Sequence, residues 1–194
     1  MKNYLKKLFE QADQISPCRI RKLNRYNLAE MFNKFGFKIG AEIGVERGVF
    51  SKAICSRIPD LKLYCIDPWL YTKGYKEHVP QERLDGFYDL TKERLEPFDA
   101  TLIKSTSMDA VKDFEDESLD FVYIDGNHEF DFVMEDLISW SKKVKKGGIV
   151  AGHDYYRFRK AGVIEAVDMY TKMHGIKEWF ITDERTPSFF WIKE

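Results

Sequence analysis

The sequence predicts an α/β protein in which a mostly parallel sheet is covered by helices on both faces. Short apolar segments alternate five times with segments of helical periodicity, and the apolar segments are continuous rather than interrupted by polar residues. A strand that is apolar on both sides is buried on both faces, as happens between two layers of helices. The length of 194 residues, 44% of them hydrophobic, fits one such domain spanning residues 1–194.

The elements follow one another in a regular order. Residues 1–36 have apolar residues at helical spacing and are predicted as N-terminal helices. The predicted strands are Phe37–Val45, Leu61–Ile66, Ala100–Lys104, Leu119–Ile124 and Ile149–Gly152. The predicted helices are Val49–Ile58, Leu84–Leu95, Phe132–Val144 and Val163–Met173.

Two segments depart from this alternation. Residues 70–90 are polar and aromatic, with two glycines and a proline, and we expect an inserted lid there. Near the C-terminus, Trp179–Thr182 and Ser188–Ile192 are aromatic and β-branched runs joined by a short polar segment. Their spacing predicts a terminal β-hairpin.

Charge and composition exclude several classes of function. The chain has 31 basic and 32 acidic residues, so no overall field favours a nucleic acid or an anionic membrane. No apolar stretch approaches the ~20 residues that span a bilayer, and no signal-peptide core is present. Three scattered cysteines suit a reducing compartment. We therefore expect a cytoplasmic protein with a small-molecule partner, and homo-oligomerisation stays open.

Polar residues follow most of the predicted strands. Because the carboxyl ends of parallel strands meet at one edge, where such sheets bind ligands, we expect these residues to form one site. They are Glu42 and Gly44, Asp67, Ser105–Ser107, Asp125, and His153 with Asp154.

The turn between the first core strand and its helix predicts an adenosine-type cofactor. Gly44 and Gly48 allow close approach to backbone N–H groups at a helix N-terminus. Asp67, 19 residues after Gly48, can accept hydrogen bonds from ribose hydroxyls. The alternatives are that the glycines serve packing and that Asp67 is a turn residue. The carboxylates of Glu42 and Glu46 would repel a pyrophosphate and attract an ammonium, which favours S-adenosylmethionine over a nicotinamide.

Four segments resemble class I S-adenosylmethionine-dependent methyltransferases. They are Ala41–Ser51, Cys65–Trp69, Phe121–His128 and Lys146–Tyr155. The resemblance is greatest to the branch of macrocin-type sugar O-methyltransferases and covers residues ~38–194. It implies a three-layer, Rossmann-like, seven-stranded sheet in the order 3-2-1-4-5-7-6, with strand 7 antiparallel. It also implies O-methylation of a small-molecule or sugar hydroxyl.

The resemblance further implies a set of cofactor contacts. Among them, Asp67 would hold the ribose. Glu42, Gly44 and Gly48 would surround the methionine end, Pro68 and Trp69 would shape the wall beside the ribose, and Ser107 and Met108 would neighbour the adenine. Val45, Ser51 and Asp125 complete the set of expected cofactor contacts.

Acidic and imidazole side chains at two neighbouring strand ends predict catalytic chemistry. Asp125 and Asp154 would lie on strands ~4.8 Å apart and can hold Mg²⁺, which would lower the pKa of an acceptor hydroxyl. The alternative is that Asp125 contacts only the cofactor and that Asp154 caps the next segment; a third acid is missing, because Tyr155 follows. His153 is the preferred general base, with His128 as the alternative.

Parts of the sequence also suit two other functions. Gly126–Glu129 matches the G-N-H-[DE] element of metallophosphoesterases, but the D-x-H and G-D-x-x-D elements of that class are missing. A non-catalytic cofactor-binding module is the other alternative. The acidic and histidine residues at one edge favour an enzyme. The acceptor stays open; aromatic residues in 71–88 and 155–159, with Arg157 and Arg159, suit a ring carrying an anionic group.

Overall fold

The computed structural model describes residues 15–71, 79–158 and 161–194, together with Tyr4 and Lys7. Its strands are β1 (Cys18–Ile20), β2 (Ile39–Ile43), β3 (Lys62–Asp67), β4 (Ala100–Lys104), β5 (Leu119–Ile124), β6 (Val144–Gly152), β7 (Trp179–Thr182) and β8 (Phe189–Ile192). Its helices are α1 (Arg25–Lys34), α2 (Val49–Arg57), α3 (Gln81–Leu95), α4 (Ser107–Ala110), α5 (Phe130–Lys143) and α6 (Val163–Met173). None of the helices within these residues is long and apolar enough to cross a bilayer.

The strands form one sheet in the order β1-β7-β8-β6-β5-β2-β3-β4. All neighbouring strands are parallel except β8, which is antiparallel to both β6 and β7. The prediction of an α/β fold with a mostly parallel sheet is confirmed. The predicted count of seven strands is wrong, because β1 adds an eighth strand at the edge; without it, the remaining strands run β4-β3-β2-β5-β6-β8-β7.

Strand β1 also corrects the prediction that residues 1–36 are helical. Its three residues pair in parallel with β7, with Cys18 opposite Phe180. So short a segment has no periodicity of its own, and only this distant pairing makes it a strand. The helical prediction is confirmed for α1, which begins with a capping box: Asn24 Oδ1 accepts from the Asn27 N–H, and Asn27 Oδ1 accepts from the Asn24 N–H.

Two further boundaries differ from the sequence prediction. Helix α3 begins at Gln81, directly after Pro80, so part of the predicted lid is helix, while residues 72–78 lie outside the described residues. Strand β6 begins at Val144, five residues before the predicted start at Ile149, and runs through Gly147 and Gly148. A Cβ on Gly148 would lie 2.4 Å from the Asp120 carbonyl oxygen, so glycine permits the close β5–β6 pairing there.

The sheet separates two hydrophobic clusters, as a strand pattern without polar alternation requires. Phe121 and Tyr123 of β5 pack with α1, α2 and α3 on one face, and Val122 and Ile124 pack with α5 and α6 on the other. All four side chains are buried. Burial on both faces fixes the sheet rigidly, and its carboxyl edge therefore forms a firm platform for a site.

Candidate functional site

The carboxyl ends of β2, β3, β5 and β6 lie side by side. Ile43 pairs with Ile66 on one side and with Ile124 on the other, and Ile124 pairs with Gly152. The residues that follow these strands therefore start from one line across the sheet. This is the convergence that the sequence predicted.

The two glycines of the first turn are both required by the fold itself. Gly44 has φ +86°, and a Cβ on it would lie 2.1 Å from the Asp125 carbonyl oxygen. Gly48 has φ +67°, and a Cβ there would lie 2.9 Å from the Thr91 side chain. Packing thus accounts for both residues, and their contact with a cofactor stays a prediction. Gly48 caps α2 without a side-chain bond, which leaves the first N–H groups of α2 free to bind a ligand.

Asp67 organises this turn. Its Oδ2 accepts hydrogen bonds from the N–H groups of Val45 and Glu46, both at 2.9 Å, and its Oδ1 accepts one from the Trp69 N–H at 2.7 Å. A carboxylate has about four lone-pair positions, so one remains for a ribose hydroxyl. The carboxylate therefore fits the predicted ribose contact, although the sequence did not show its role in the turn.

The Glu46 backbone has φ +51°, which is uncommon for a residue other than glycine. Its carbonyl accepts hydrogen bonds from Trp69 Nε1 at 2.7 Å and from Thr91 Oγ1 at 3.2 Å. These bonds and the Asp67 contact hold the conformation in place. The Glu46 side chain is 59% exposed and lies 3.3 Å from Arg47 Nε. Arg47 therefore partly offsets the charge of Glu46, which the sequence pattern alone does not show.

Glu42 is a buried carboxyl beneath the turn. It is 2% exposed and accepts a hydrogen bond from Ser51 Oγ. Burial raises its pKa to about 8, against the opposing effect of the Ser51 bond. Near neutral pH Glu42 therefore holds its proton more strongly than an ordinary glutamate.

The raised pKa of Glu42 gives a test of its burial. The folded state keeps a proton that the unfolded state loses, so stability should fall as pH rises from about 4.5 to about 8. We expect Glu42→Gln to reduce the slope of the free energy of unfolding against pH, by at most about 1.4 kcal/mol per pH unit. Urea unfolding at intervals from pH 4 to pH 8 measures it. At pH 4 both proteins hold an uncharged group, so their free energies should be similar; parallel curves over the whole range would contradict the burial argument.

A polar group lies on the side predicted for the adenine. Ser107 Oγ donates to Asp136 and accepts from Trp140 Nε1 at 2.7 Å, and Met108 Sδ lies 3.7 Å from Ser139 Oγ. Asp136 is buried, which raises its pKa to about 7. Asp136 is not among the residues predicted from the sequence, although a carboxylate within the apolar stripe of α5 is a usable signal.

Two aspartates and two histidines meet where β5 and β6 end. Asp154 lies 3.1 Å from both His128 Nε2 and His153 Nδ1. Asp125 Oδ1 lies farther away, 3.7 Å from His128 Nε2 and 3.6 Å from His153 Nδ1. The recess lined by Asp125, His128 and His153 has an apolar wall that includes Val163. All four predicted catalytic residues are thus brought together.

Charge is shared within this cluster. Burial would lower the pKa of both imidazoles, but the aspartates raise that of His153 to about 9 and that of His128 to about 11. The histidines in turn lower the pKa of Asp154, against the effect of its burial. Two imidazolium ions can therefore balance the two carboxylates near neutral pH.

One oxygen of each aspartate and Nε2 of His128 lie within 4.8 Å of one another, as metal ligands would. His128 thus lies where a third ligand could come from, in a place for which the sequence offered no third acid. Two carboxylates and an imidazole fit a divalent cation.

The elements outside the sheet edge contribute residues that the sequence did not indicate. Thr186 Oγ1, in the β7–β8 loop, lies 3.4 Å from His153 Nε2. Arg25 Nη1, on α1, lies 4.0 Å from Asp125 Oδ2. The expected acceptor residues are less well placed: Arg157 pairs with Glu165 at 3.3 Å and is 82% exposed, and Arg159 lies outside the described residues.

Comparison of the sequence with protein families identifies a match. The model of a methyltransferase domain family matches residues 41–155, which is more than half of the chain. The chain belongs to this methyltransferase family. The matched segment of this methyltransferase begins in β2 and ends just after Asp154. It leaves out α1, α6 and the terminal hairpin. No curated protein matches the sequence.

Solved structures resemble the methyltransferase over most of its length. The O-methyltransferase from Bacillus cereus in complex with SAH has a TM-score of 0.64 at 10% identity, covering 98% of this chain and 91% of that one. The O-methyltransferase TomG from Streptomyces achromogenes, involved in tomaymycin synthesis and in complex with SAM, has a TM-score of 0.61 at 13% identity, with 88% and 78% covered. Precorrin-6y C5,15-methyltransferase from Geobacter metallireducens has a TM-score of 0.59 at 12% identity, with 85% and 86% covered. At these identities the likeness concerns the fold.

Proposed function

We propose that this methyltransferase transfers a methyl group from S-adenosylmethionine to a hydroxyl oxygen of a small molecule. One observation carries the proposal: the cluster of Asp125, His128, His153 and Asp154 lies at the end of β5 and β6, beside the turn ordered by Asp67. Methyl transfer to oxygen needs a held donor and a group that takes the hydroxyl proton, and these two features can supply them.

The donor half of the proposal uses the Glu42–Gly48 turn. S-adenosylmethionine supplies a methyl group on a positively charged sulfur. Glu42 would accept a hydrogen bond from the methionine ammonium, and Asp67 would use its remaining lone pair on the ribose. Pro68, the buried Trp69, Ser107 and Met108 would line the adenosine half, with Ser107 already held by Asp136.

The acceptor half of the proposal uses the histidine cluster. In its neutral form, which becomes more populated as pH rises towards the pKa of about 9, His153 would take the proton of the acceptor hydroxyl as the oxygen bonds to the methyl carbon and the carbon–sulfur bond breaks. Asp154, 3.1 Å from His153 Nδ1, would stabilise the imidazolium that results. Thr186, 3.4 Å from Nε2, would keep the ring oriented. His128 is the second candidate for the same proton.

A divalent cation is part of the proposal. Asp125, Asp154 and Nε2 of His128 would hold it, and it would lower the pKa of a hydroxyl bound to it. Mg²⁺ is the ion predicted from the two carboxylates, whereas the imidazole nitrogen also suits Mn²⁺ or Zn²⁺. Any such ion must displace a proton from His128, so its affinity should rise with pH.

The acceptor is proposed by analogy. The sequence resembles the macrocin-type branch, which favours a sugar hydroxyl, and TomG is an O-methyltransferase involved in the synthesis of another small molecule. Tyr155 and Tyr156, which directly follow Asp154 in the chain, are aromatic residues of the kind that suits the face of a ring.

The proposal can be tested by calorimetry and a transfer assay. We expect the chelator-treated protein to bind S-adenosylhomocysteine, and expect Mg²⁺ or Mn²⁺ to increase transfer of a labelled methyl group to a panel of sugars and phenols. Transfer without any metal effect would leave His153 as the base and remove the cation from the mechanism. Failure to bind S-adenosylhomocysteine would contradict the proposed function, and binding with no transfer to any acceptor would favour the non-catalytic module.

A further inference from the structure

Arg25 lies outside the matched family segment, yet its side chain reaches the candidate site. It is the first residue of α1, next to the N-cap Asn24. Glu184, in the β7–β8 loop, accepts a hydrogen bond from the Arg25 N–H at 2.9 Å. The capping box on one side and this long-range bond on the other fix the point from which the guanidinium extends.

The first position of α1 is unfavourable for a basic residue as far as the stability of the helix is concerned. The N-terminus of a helix carries partial positive charge, so a basic residue there costs about 0.3–1 kcal/mol. The first turn of α1 contains no acidic residue of its own, and the carboxylate that offsets the helix dipole there is that of Glu184, from the β7–β8 loop. The charge of Arg25 is therefore better explained by what the guanidinium faces than by any benefit to α1.

The guanidinium faces the start of α2 and the end of β5. It lies 5.1 Å from the centre of the Phe50 ring and 5.6 Å from that of Tyr26. The side chain is 27% exposed, and Asp125 Oδ2 is 4.0 Å from Nη1, which is longer than a hydrogen bond. Asp125 does not saturate this cation, because its other oxygen faces His128 and His153.

These neighbours place Arg25 at the methionine end of the proposed cofactor site. Phe50 is the second residue of α2, the helix that starts at the glycine turn. The field of Arg25 also reaches Glu42, where it lowers the pKa against the larger effect of burial. The carboxyl of Glu42, which can accept a hydrogen bond, and the guanidinium of Arg25, which can donate, thus lie at the same end of the turn. An α-amino acid group carries an ammonium and a carboxylate and is complementary to such a pair.

We infer that Arg25 binds the carboxylate of the methionine half of S-adenosylmethionine. The assignment rests on the proposed function, because it requires that cofactor. A guanidinium presents two parallel N–H groups that match the two oxygens of a carboxylate, and the rings of Phe50 and Tyr26 hold its plane. Arg25 would therefore be a cofactor-binding residue supplied by the N-terminal segment.

The test compares two ligands that differ only in that carboxylate. S-adenosylhomocysteine and S-adenosyl-3-thiopropylamine, its decarboxylated form, are titrated by calorimetry into the full chain and into Arg25→Gln, Arg25→Lys and the control Arg19→Gln. We expect Arg25→Gln to weaken S-adenosylhomocysteine binding about 10- to 100-fold, the worth of a charge-assisted hydrogen-bonded pair, and to leave the decarboxylated ligand unaffected. Arg25→Lys should recover part of the loss. Arg19, 48% exposed on the nearby β1, should tolerate the change.

Each other outcome has a defined meaning. An equal loss for both ligands would show that Arg25 only supports the fold, and thermal melts of the variants would show the same destabilisation. Unchanged cofactor affinity with a raised KM for an acidic acceptor would assign the residue to the acceptor and overturn the inference. If the wild-type protein binds neither ligand, the proposed function itself fails. If the wild type prefers the ligand with the carboxylate and Arg25→Gln keeps that preference, the proposed function stands and only the role of Arg25 is overturned.

Discussion

Replacing Asp154 by asparagine is expected to lower kcat at least about 100-fold while changing the affinity for S-adenosylhomocysteine less than about twofold. Asp154 contacts both His128 and His153, so its charge is needed to orient them and to balance an imidazolium. Neither histidine belongs to the glycine turn, so the donor site should persist. Asparagine is the appropriate replacement because Asp154 has φ +58°, a conformation that asparagine tolerates and alanine does not.

Steady-state kinetics and calorimetry with S-adenosylhomocysteine measure the two quantities. Asp183→Asn is a matched control, since Asp183 lies in the β7–β8 loop and its carboxylate contacts only Arg19 and the Lys22 N–H among the described contacts. Its turnover should equal that of the wild type. A metal titration adds a second readout, because Asp154→Asn should also weaken binding of Mn²⁺. Wild-type turnover in Asp154→Asn would exclude both the cation and the histidine role.

The second large effect is expected at Asp67. Alanine there leaves the N–H groups of Val45, Glu46 and Trp69 without their acceptor, and each such loss costs about 1–3 kcal/mol when the group is shielded from water. We expect Asp67→Ala to reduce the affinity for S-adenosylhomocysteine about 100-fold, equivalent to about 2.7 kcal/mol, and to lower the melting temperature.

A ligand comparison separates the turn from the ribose. If Asp67 also binds the ribose, the wild type should prefer S-adenosylhomocysteine to its 2′-deoxy form, and Asp67→Ala should lose that preference. Thr91→Val is the control for the turn alone, since it removes the bond from Oγ1 to the Glu46 carbonyl and leaves the Asp67 carboxylate in place. An Asp67→Ala protein with wild-type affinity would refute both roles.

The buried parts of the fold were predictable because runs of consecutive apolar residues indicate burial. Strands β5 and β7 and helix α6 have the predicted bounds, since each is apolar where the neighbouring layers cover it. Strand β4 also has the predicted bounds, although it lies at the sheet edge and none of its residues is fully buried. Strand β1 was not predictable, because nothing in its three residues shows that Trp179–Thr182 will lie beside them. The start of β6 was predicted too late for a similar reason. Glycines such as Gly148 are typical of a break between elements, but they also allow the close approach of β5 that occurs there.

The same division applies to the site. Asp125, His153 and Asp154 directly follow strands, so strand prediction was enough to bring them together. The role of Asp67 in the turn depends on where the backbone of residues 45–46 passes, which a sequence pattern does not give. Arg25 reaches Asp125 only because α1 packs on α2 and is tied to the terminal hairpin, and these are contacts between distant parts of the chain.

The attachment of the N-terminal segment to the terminal hairpin has a consequence for the order of folding. The bond between Arg25 and Glu184 joins residues 159 positions apart, and β1 pairs with a strand equally remote. Closing so long a loop is costly until other contacts have shortened it. During synthesis, residues 18–25 leave the ribosome early and must wait for β7 and β8, so the central sheet is expected to assemble first. The part of the proposed cofactor site that contains Arg25 would then form last, after β7 and β8 have been synthesised.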